Sequence, residues 1–491
     1  MDFKTYVQNV VASYVENPDR NIIFIKHYNT VEISKDEILA SVNKTNDEIF
    51  LYHEYSMHNM HDAYAPFMIW IRKCYNRFYK DNMSVEDFLK KCGVYPMHIE
   101  PLAGFIRNDL CTRKEDVLPF EITYESYRML LNMVGILGYI SKEHHLILIL
   151  SKFHFAPYST INLFREIIRK TGNIHSILMY NDEFNVADYK KGIWEELLQI
   201  AEEQNLQLEW GSMDSEKSMD VQDDFWFDSA LKSEYLLKMK NMSYLFCLDD
   251  VYYYISNIIY RLDEKTIWLT KNEQIQLLLL AATIDMNLMK VDHALVICDK
   301  LADLCSHLTE NSHLLYNYYY TCTRAKLLVS QIKSVEESCR KCVDIALEMG
   351  DSFLACKAEI LLWCAYFGIG RNIFEYDFRF KLDMEIVEKA KNYGFTNFLA
   401  YIYVFGFEND AETIKEIVNG KREPYYFNLG IKLGTEIDND NFLLNVYMKN
   451  IMLYSRLGYY RYVRELYKKR LAALRRPNPL REAHMYAGLG L

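Results

Sequence analysis

A run of five aliphatic residues, Leu146-Ile147-Leu148-Ile149-Leu150, constrains the fold of this chain more than any other feature. Its length suits a strand, and with no polar residue at alternate positions neither face of that strand can meet water. Such a strand belongs inside a parallel sheet with helices on both sides. Four other segments have strand character: Asn21–Ile25, Glu48–His53, His175–Tyr180 and Gln207–Trp210. Helical patterns at Lys35–Val42, Leu130–Ile140, Ile161–Lys170 and Ile193–Gln204 separate or follow them. Strands alternating with helices predict an α/β domain with a parallel sheet.

The residues after the aliphatic run, Ser151-Lys152-Phe153-His154-Phe155-Ala156-Pro157, stand where a P-loop ATPase places the acids that hold magnesium and orient water. Frame and position resemble the STAND class within the AAA-like group, the large bacterial ATP-binding signal-transduction regulators, whose strand reads aliphatic run, Asp-Asp, aliphatic, His-Trp-Ala-Asp. Tyr64-Ala65-Pro66-Phe67 is similar to that family's turn into the next helix. The phosphate loop G-x-x-x-x-G-K-[ST], which sits between a strand and a helix, falls here on the stretch after Asn21–Ile25. Its first glycine lands on His27, its second on Glu32, its lysine on Ile33 and its hydroxyl residue on Ser34. Only the serine is kept. Ser151 and Lys152 take the places of the acids, and Asn181, ending a strand, takes that of a polar sensor. The resemblance implies a degenerate P-loop NTPase-like domain over residues 1–215.

The glycines of a phosphate loop allow positive φ and close backbone approach, and its lysine supplies the charge that meets the β and γ phosphates. Glu32 would instead set a negative charge beside a polyphosphate. A like-charge contact at about 4 Å costs roughly 4 kcal/mol at an effective dielectric of about 20, on the order of a thousandfold in affinity. The domain is therefore expected to be a pseudo-ATPase with no catalytic residue, no metal and no cofactor.

Glycine (18) and proline (9) are scarce in 491 residues, which predicts a largely helical remainder, and the length predicts two or three domains. There is no long apolar span or signal-peptide core, and eleven scattered cysteines suit a reducing compartment, so a cytoplasmic protein without a membrane partner is expected. Cys339-Arg340-Lys341-Cys342 has no second pair and no nearby histidine and reads as helix packing. His53, His58 and His61, with Glu54 and Asp62, read as a polar loop.

Residues 211–224 are acidic and polar and mark a boundary. Beyond it, from 225 to 475, Ala302, Ala346, Ala390 and Gly434 recur at 44 residues, with Leu354, Phe398 and Phe442 at the same interval. Small residues at a fixed period let helices approach, and large ones fill the space beyond, which predicts an all-α solenoid of helical hairpins. Ala294–Ala302 and Val335–Asp351 resemble second helices of tetratricopeptide (TPR) repeats, of the extended kind that follows the ATPase core in STAND regulators. Tyrosine-rich stretches such as Val251–Ile255 and Leu314–Tyr320 favour packing between helices, with peptide binding as the other use. Basic residues crowd 456–481, but no nucleic-acid-binding motif accompanies them, so a solvated last helix is expected rather than a DNA or RNA surface, followed by a tail at 476–491.

The expectation is thus an ATPase-like but inactive regulatory scaffold in signal transduction, binding a protein or peptide through its repeats. Two alternatives stand beside it. One is a nucleotide-binding switch in which Ser34, Lys26 or Lys152 replaces the missing lysine and an acid such as Asp182 holds magnesium with ATP. The other is a transcription regulator or the sensory part of a cyclase-type signalling protein.

Overall fold

The structure, a computed structural model, describes residues 2–16, 21–28, 35–40, 48–56, 64–109, 121–170, 174–182, 184, 186–210, 232–306, 308, 313–329, 331–366, 384–405, 411–421, 424–437, 439–473 and 486. The chain forms two compact units, one of residues 1–112 and 125–269, the other of residues 113–124 and 270–491.

In chain order the first part runs α1 (Phe3–Glu16), β1 (Ile22–His27), α2 (Lys35–Ala40), β2 (Glu48–Glu54), α3 (Phe67–Cys74), α4 (Val85–Lys91), α5 (Pro96–Arg107) and α6 (Ile122–Glu143). It continues through β3 (His145–Ser151), α7 (Tyr158–Lys170), β4 (His175–Asn181), α8 (Asp188–Glu203), β5 (Gln207–Trp210), α9 (Lys232–Tyr244) and α10 (Leu248–Asp263). The five strands form one sheet in the order β2-β3-β4-β1-β5, and every pair is parallel. The aliphatic run lies in β3, hydrogen-bonded on both edges.

Alternation along the strands divides the sheet into two apolar faces. Ile23, Ile25, Ile147, Ile149, Ile177 and Met179 pack against Phe3, Val7, Val11 and Tyr14 of α1. Phe24, Leu148, Leu178 and Tyr180 point the other way and are equally buried. On that second face Tyr180 meets Trp194 of α8 edge-on at 5.4 Å, and Phe153 bridges Trp194 to Phe164 of α7. With both faces covered, β3 has no need of a polar position, which is why its sequence shows none.

The second unit is helical wherever it is described: α11 (Lys271–Asn287), α12 (Val291–Cys305), α13 (His313–Leu328), α14 (Ile332–Glu348), α15 (Ser352–Tyr366), α16 (Met384–Tyr393), α17 (Thr396–Phe405), α18 (Ala411–Val418), α19 (Tyr425–Glu436), α20 (Asp440–Arg456) and α21 (Tyr460–Ala473). Thr270 opens α11 with a capping box to Glu273. The 44-residue period has a visible cause at its end: a Cβ added to Gly434 would lie 2.4 Å from the Phe442 ring. Ala346 and Ala390 are likewise buried. Ala302 departs from the pattern and is exposed, because α12 turns Ile297, Cys298, Leu301 and Cys305 inward instead.

Cys339 and Cys342 are buried in helix contacts, and burial pushes the Cys339 thiol up to about 12. Tyr316 is buried with its hydroxyl donating to the Leu354 carbonyl at 2.9 Å, while Lys341 and Lys357 lie over the rings of Tyr319 and Tyr320. In α21, Arg461, Arg464, Lys468 and Lys469 are exposed as expected of a solvated face, but Arg470 is buried beside the Met448 sulfur. Of the residues expected in a polar loop, His53 and Glu54 instead end strand β2, while His58, His61 and Asp62, like the acidic boundary at 211–224 and the tail arginines 475, 476 and 481, lie outside the described residues.

Candidate functional site at the carboxyl edge of the sheet

In open α/β sheets ligands gather beyond the carboxyl ends of the strands. Here β4 lies between β1 and β3, so the strand carrying Asn181 separates the one ending in His27 from the one ending in Ser151. His27 and Asn181 are register partners. His27, Asn181, Ser151 and Lys152 are thus brought to one sheet edge, whereas Glu32, Ile33 and Ser34 lie outside the described residues.

The two lysines at this edge are engaged by acids. Lys26 Nζ is 2.7 Å from Asp182 Oδ2, and Lys152 Nζ is 2.7 Å from Glu54 Oε1. Burial by itself would lower the Lys26 pKa, but hydrogen bonds to Asp182 and Tyr28 and the attraction of Asp182 outweigh it and hold the ammonium above its ordinary range. Tyr28 donates in turn to Glu209 Oε1 at 2.6 Å. Lys26 and Lys152 are thus both committed to acids at this edge. Asp182, the acid assigned to magnesium under the nucleotide-switch alternative, is the one that holds Lys26.

Lys152 sits in the left-handed region at φ 54°, where only glycine is at ease. It opens the short turn Phe153–Phe155, which sends the chain from β3 toward α7. In that turn His154 is buried, stacks on Phe184 at 5.1 Å, and accepts a hydrogen bond on Nδ1 from the Asn181 backbone amide at 3.2 Å. An accepting Nδ1 fixes the neutral tautomer with its proton on Nε2. Burial first, then the positive neighbours His27, Lys190 and Lys152, hold its pKa down at about 3. Asn181 is itself buried, so it offers its backbone to His154 rather than its side chain to solvent.

Two residues that sequence reasoning missed complete the frame. Lys190 of α8 is buried and donates to the carbonyls of His154 (3.2 Å) and Ala156 (2.8 Å). Asp250 of α10 is buried and accepts from the first amides of α7, Tyr158 N at 2.9 Å and Ser159 N at 3.0 Å. Burial raises its pKa, hydrogen bonds from Ser159 and Tyr158 restrain the rise, and the carboxyl stands at about 6. The Tyr64-Ala65-Pro66-Phe67 turn joins the same place, with Tyr64 N donating to Ser159 Oγ and Thr160 Oγ1 to the Ala65 carbonyl. Asp250 thus occupies the helix terminus that could have received an anion.

Among the described residues no group of histidine, cysteine and acid side chains could hold a metal ion, and no helix is long and apolar enough to cross a membrane. No protein-family model, curated protein or solved structure matches this chain.

Proposed function

We propose that this protein is an ATPase-like but catalytically inactive regulatory scaffold: a degenerate P-loop domain carries a TPR-like helical unit that binds a protein partner in signal transduction. One observation carries the inactive reading, the pairing of both edge lysines with acids, Lys26 with Asp182 and Lys152 with Glu54. The parallel sheet supports the domain assignment, since it brings the degenerate loop strand, sensor strand and acid-less strand side by side. Hairpin packing at Gly434 and Phe442 supports the repeat assignment, since the small-then-large pattern is what lets successive helices stack.

In this reading the sheet unit is a platform held shut by its own ion pairs and by Asp250. The test uses the full chain. ATP with magnesium should neither be hydrolysed nor raise the melting temperature, whereas ligand at 100 times its dissociation constant would add about 2.7 kcal/mol. A protein should co-purify with it in stoichiometric amount from its native cells. Nucleotide stabilisation that disappears in Ser34→Ala would overturn the proposal in favour of a nucleotide switch.

A further inference from the structure

The hairpin of α11 and α12 holds an exposed histidine against a buried acid. Helix α11 ends at Asn287 and α12 begins at Val291, and Met289, in the left-handed region at φ 59°, turns the chain between them. The last turn of one helix is thereby laid beside the first turn of the next. His293 Nδ1 comes to 2.6 Å from Asp285 Oδ2. The two side chains differ in exposure: the imidazole is 56% exposed and the carboxylate 2%.

An ionised Asp285 accepts from Nδ1–H, which fixes the neutral tautomer with its lone pair on Nε2. Burial raises the Asp285 pKa, while the hydrogen bond and charge of His293, and then Lys290, oppose that rise. Asp285 Oδ1 is buried with no hydrogen-bond partner among the described residues, so the carboxylate acts on one imidazole rather than on a network. His98 shows the structural use of the same pair. It lies 2.7 Å from Glu125, but it is fully buried, its other nitrogen is 2.7 Å from Asn132, and Arg128 shares the acid. At His293, with Nδ1 against the protein, the exposed part of the ring is its Nε2 side. His293 is also the third residue of α12, which opens without a side-chain cap, and helical side chains lean toward the amino terminus of their own helix. Lys290 and Asp292 beside it carry opposite charges, so the positive end of the helix dipole decides and favours a negative group there.

The structure assigns His293 a covalent role: it is a phosphorylation site whose Nε2 accepts a phosphoryl group from the phosphohistidine of another protein. The helix end singles out a phosphoryl group, which brings negative charge, over an acyl group, which brings none. A half-exposed ring on a helical hairpin suits a macromolecular donor, which brings its own groups to hold the phosphoryl oxygens. In the step, the Nε2 lone pair forms the new N–P bond and the donor's N–P bond breaks. Its electron pair leaves with the donor nitrogen, and the donor ring, protonated on its other nitrogen, departs as neutral imidazole. The His293 ring becomes cationic as the bond forms, and Asp285 stabilises that charge through Nδ1–H. Asp285 is a positioning residue, since it touches the histidine and not the phosphoryl group. One N–P bond replaces another, so the transfer needs no further energy source and is reversible. The inference goes beyond the scaffold reading and stands whether or not the helical unit binds a partner.

The test uses the full-length protein and phosphoramidate, a small N–P donor whose leaving group is ammonia. The reaction is run at about pH 8, where free imidazole is neutral. Phosphohistidines are mapped by mass spectrometry without acid, with His313 as reference, an exposed histidine at the start of α13. His293 should be phosphorylated at least about tenfold faster than His313 in the same sample, and phosphorus and nitrogen NMR should place the group on Nε2. Asp285→Asn, which keeps the shape and removes the charge, should bring His293 down to the His313 rate and leave His313 as it was. Equal rates at His293 and His313 in wild type, attachment at Nδ1, or indifference to Asp285→Asn would overturn the inference. Should Asp285→Asn not fold, the wild-type comparison decides alone, because both rates are read from one molecule.

Discussion

The carboxyl edge of the sheet and the buried Glu121 of the helical unit present opposite electrostatic problems. At the sheet edge, cations are neutralised by neighbouring acids in partly exposed ion pairs, Lys26 with Asp182 and Lys152 with Glu54. In the helical unit, Tyr401, Asn397 and Asn439 donate hydrogen bonds to the buried Glu121. In the proposed reading, the first arrangement closes a place where an ATPase would admit phosphate. The second is sensitive to the loss of any donor. Burial sets the energetic scale of each: exposed pairs contribute little, and buried charge-assisted hydrogen bonds contribute much.

The largest effect should therefore come from the hydrogen bonds around Glu121. Asn439→Ala removes the N-cap of α20 and one donor to Glu121, and should destabilise the helical unit by about 3 kcal/mol, about 1 from the cap and the rest from the charged hydrogen bond. Thermal denaturation followed by circular dichroism reads it; a loss under about 1 kcal/mol would mean that Asn439 contributes little to holding Glu121 or to capping α20. Gly434→Ala comes next. Its new methyl would overlap the Phe442 ring, and overpacking of this kind costs typically about 1–3 kcal/mol. It should also disturb Tyr401 through Phe442 and so weaken the hydrogen bond that Tyr401 makes to Glu121.

Acidification sharpens the comparison from the sheet side. Asp250 has a folded pKa of about 6 against 3.8 for an ordinary aspartate, so the folded state binds the extra proton between those values. Its contribution to stability therefore improves as pH falls from about 6 toward 4. His154 acts in the opposite sense, because its folded pKa of about 3 lies below the ordinary 6.5, and stability is lost as pH falls below 6.5. Glu125 joins that loss only below about 4.5, since burial, which opposes ionisation, is outweighed by hydrogen bonds and charge from His98 and Arg128 that hold its pKa at about 2. Comparison with Asp250→Asn isolates the first term: wild type should gain melting temperature relative to the variant between pH 7 and 4.5. A flat difference would remove Asp250 from the account of the edge.

The smallest effect belongs to the edge lysines. Lys26→Ala should cost no more than about 1 kcal/mol, because its pair with Asp182 is partly exposed. A far larger loss would mean that the ion pair is structural rather than a cover over the edge.

What the sequence shows of this fold follows from how local each cause is. The β3 run is legible because burial on both faces needs no information from outside the strand. The 44-residue period is legible at Gly434 and Phe442 because both partners obey it, and it fails at Ala302 because α12 turns other residues to its core. Helix α1 is less legible, although its Phe3, Val7, Val11 and Tyr14 pack with Ile38 of α2 against one sheet face. The spacing of those four is helical, but nothing nearby in the chain says what they cover. Of the candidate site, the edge positions His27, Ser151, Lys152 and Asn181 could be placed by resemblance to strand frames. Lys190, Asp250 and Glu121 could not, because each finds its partners tens to hundreds of residues away: 34 and 36 for Lys190, 91 and 92 for Asp250, and 276 to 318 for Glu121. A lone lysine or acid in a helical pattern carries no sign of such a partner.

The central claim is that the sheet edge is closed to polyphosphate by its own acids. Calorimetric titration of ATP with magnesium into the full-length wild type and into Asp182→Asn tests it most directly. The account predicts no saturable heat for wild type up to about 1 mM, and weak millimolar binding in the variant, where Lys26 is released from its acid. Micromolar, saturable binding by wild type would contradict it.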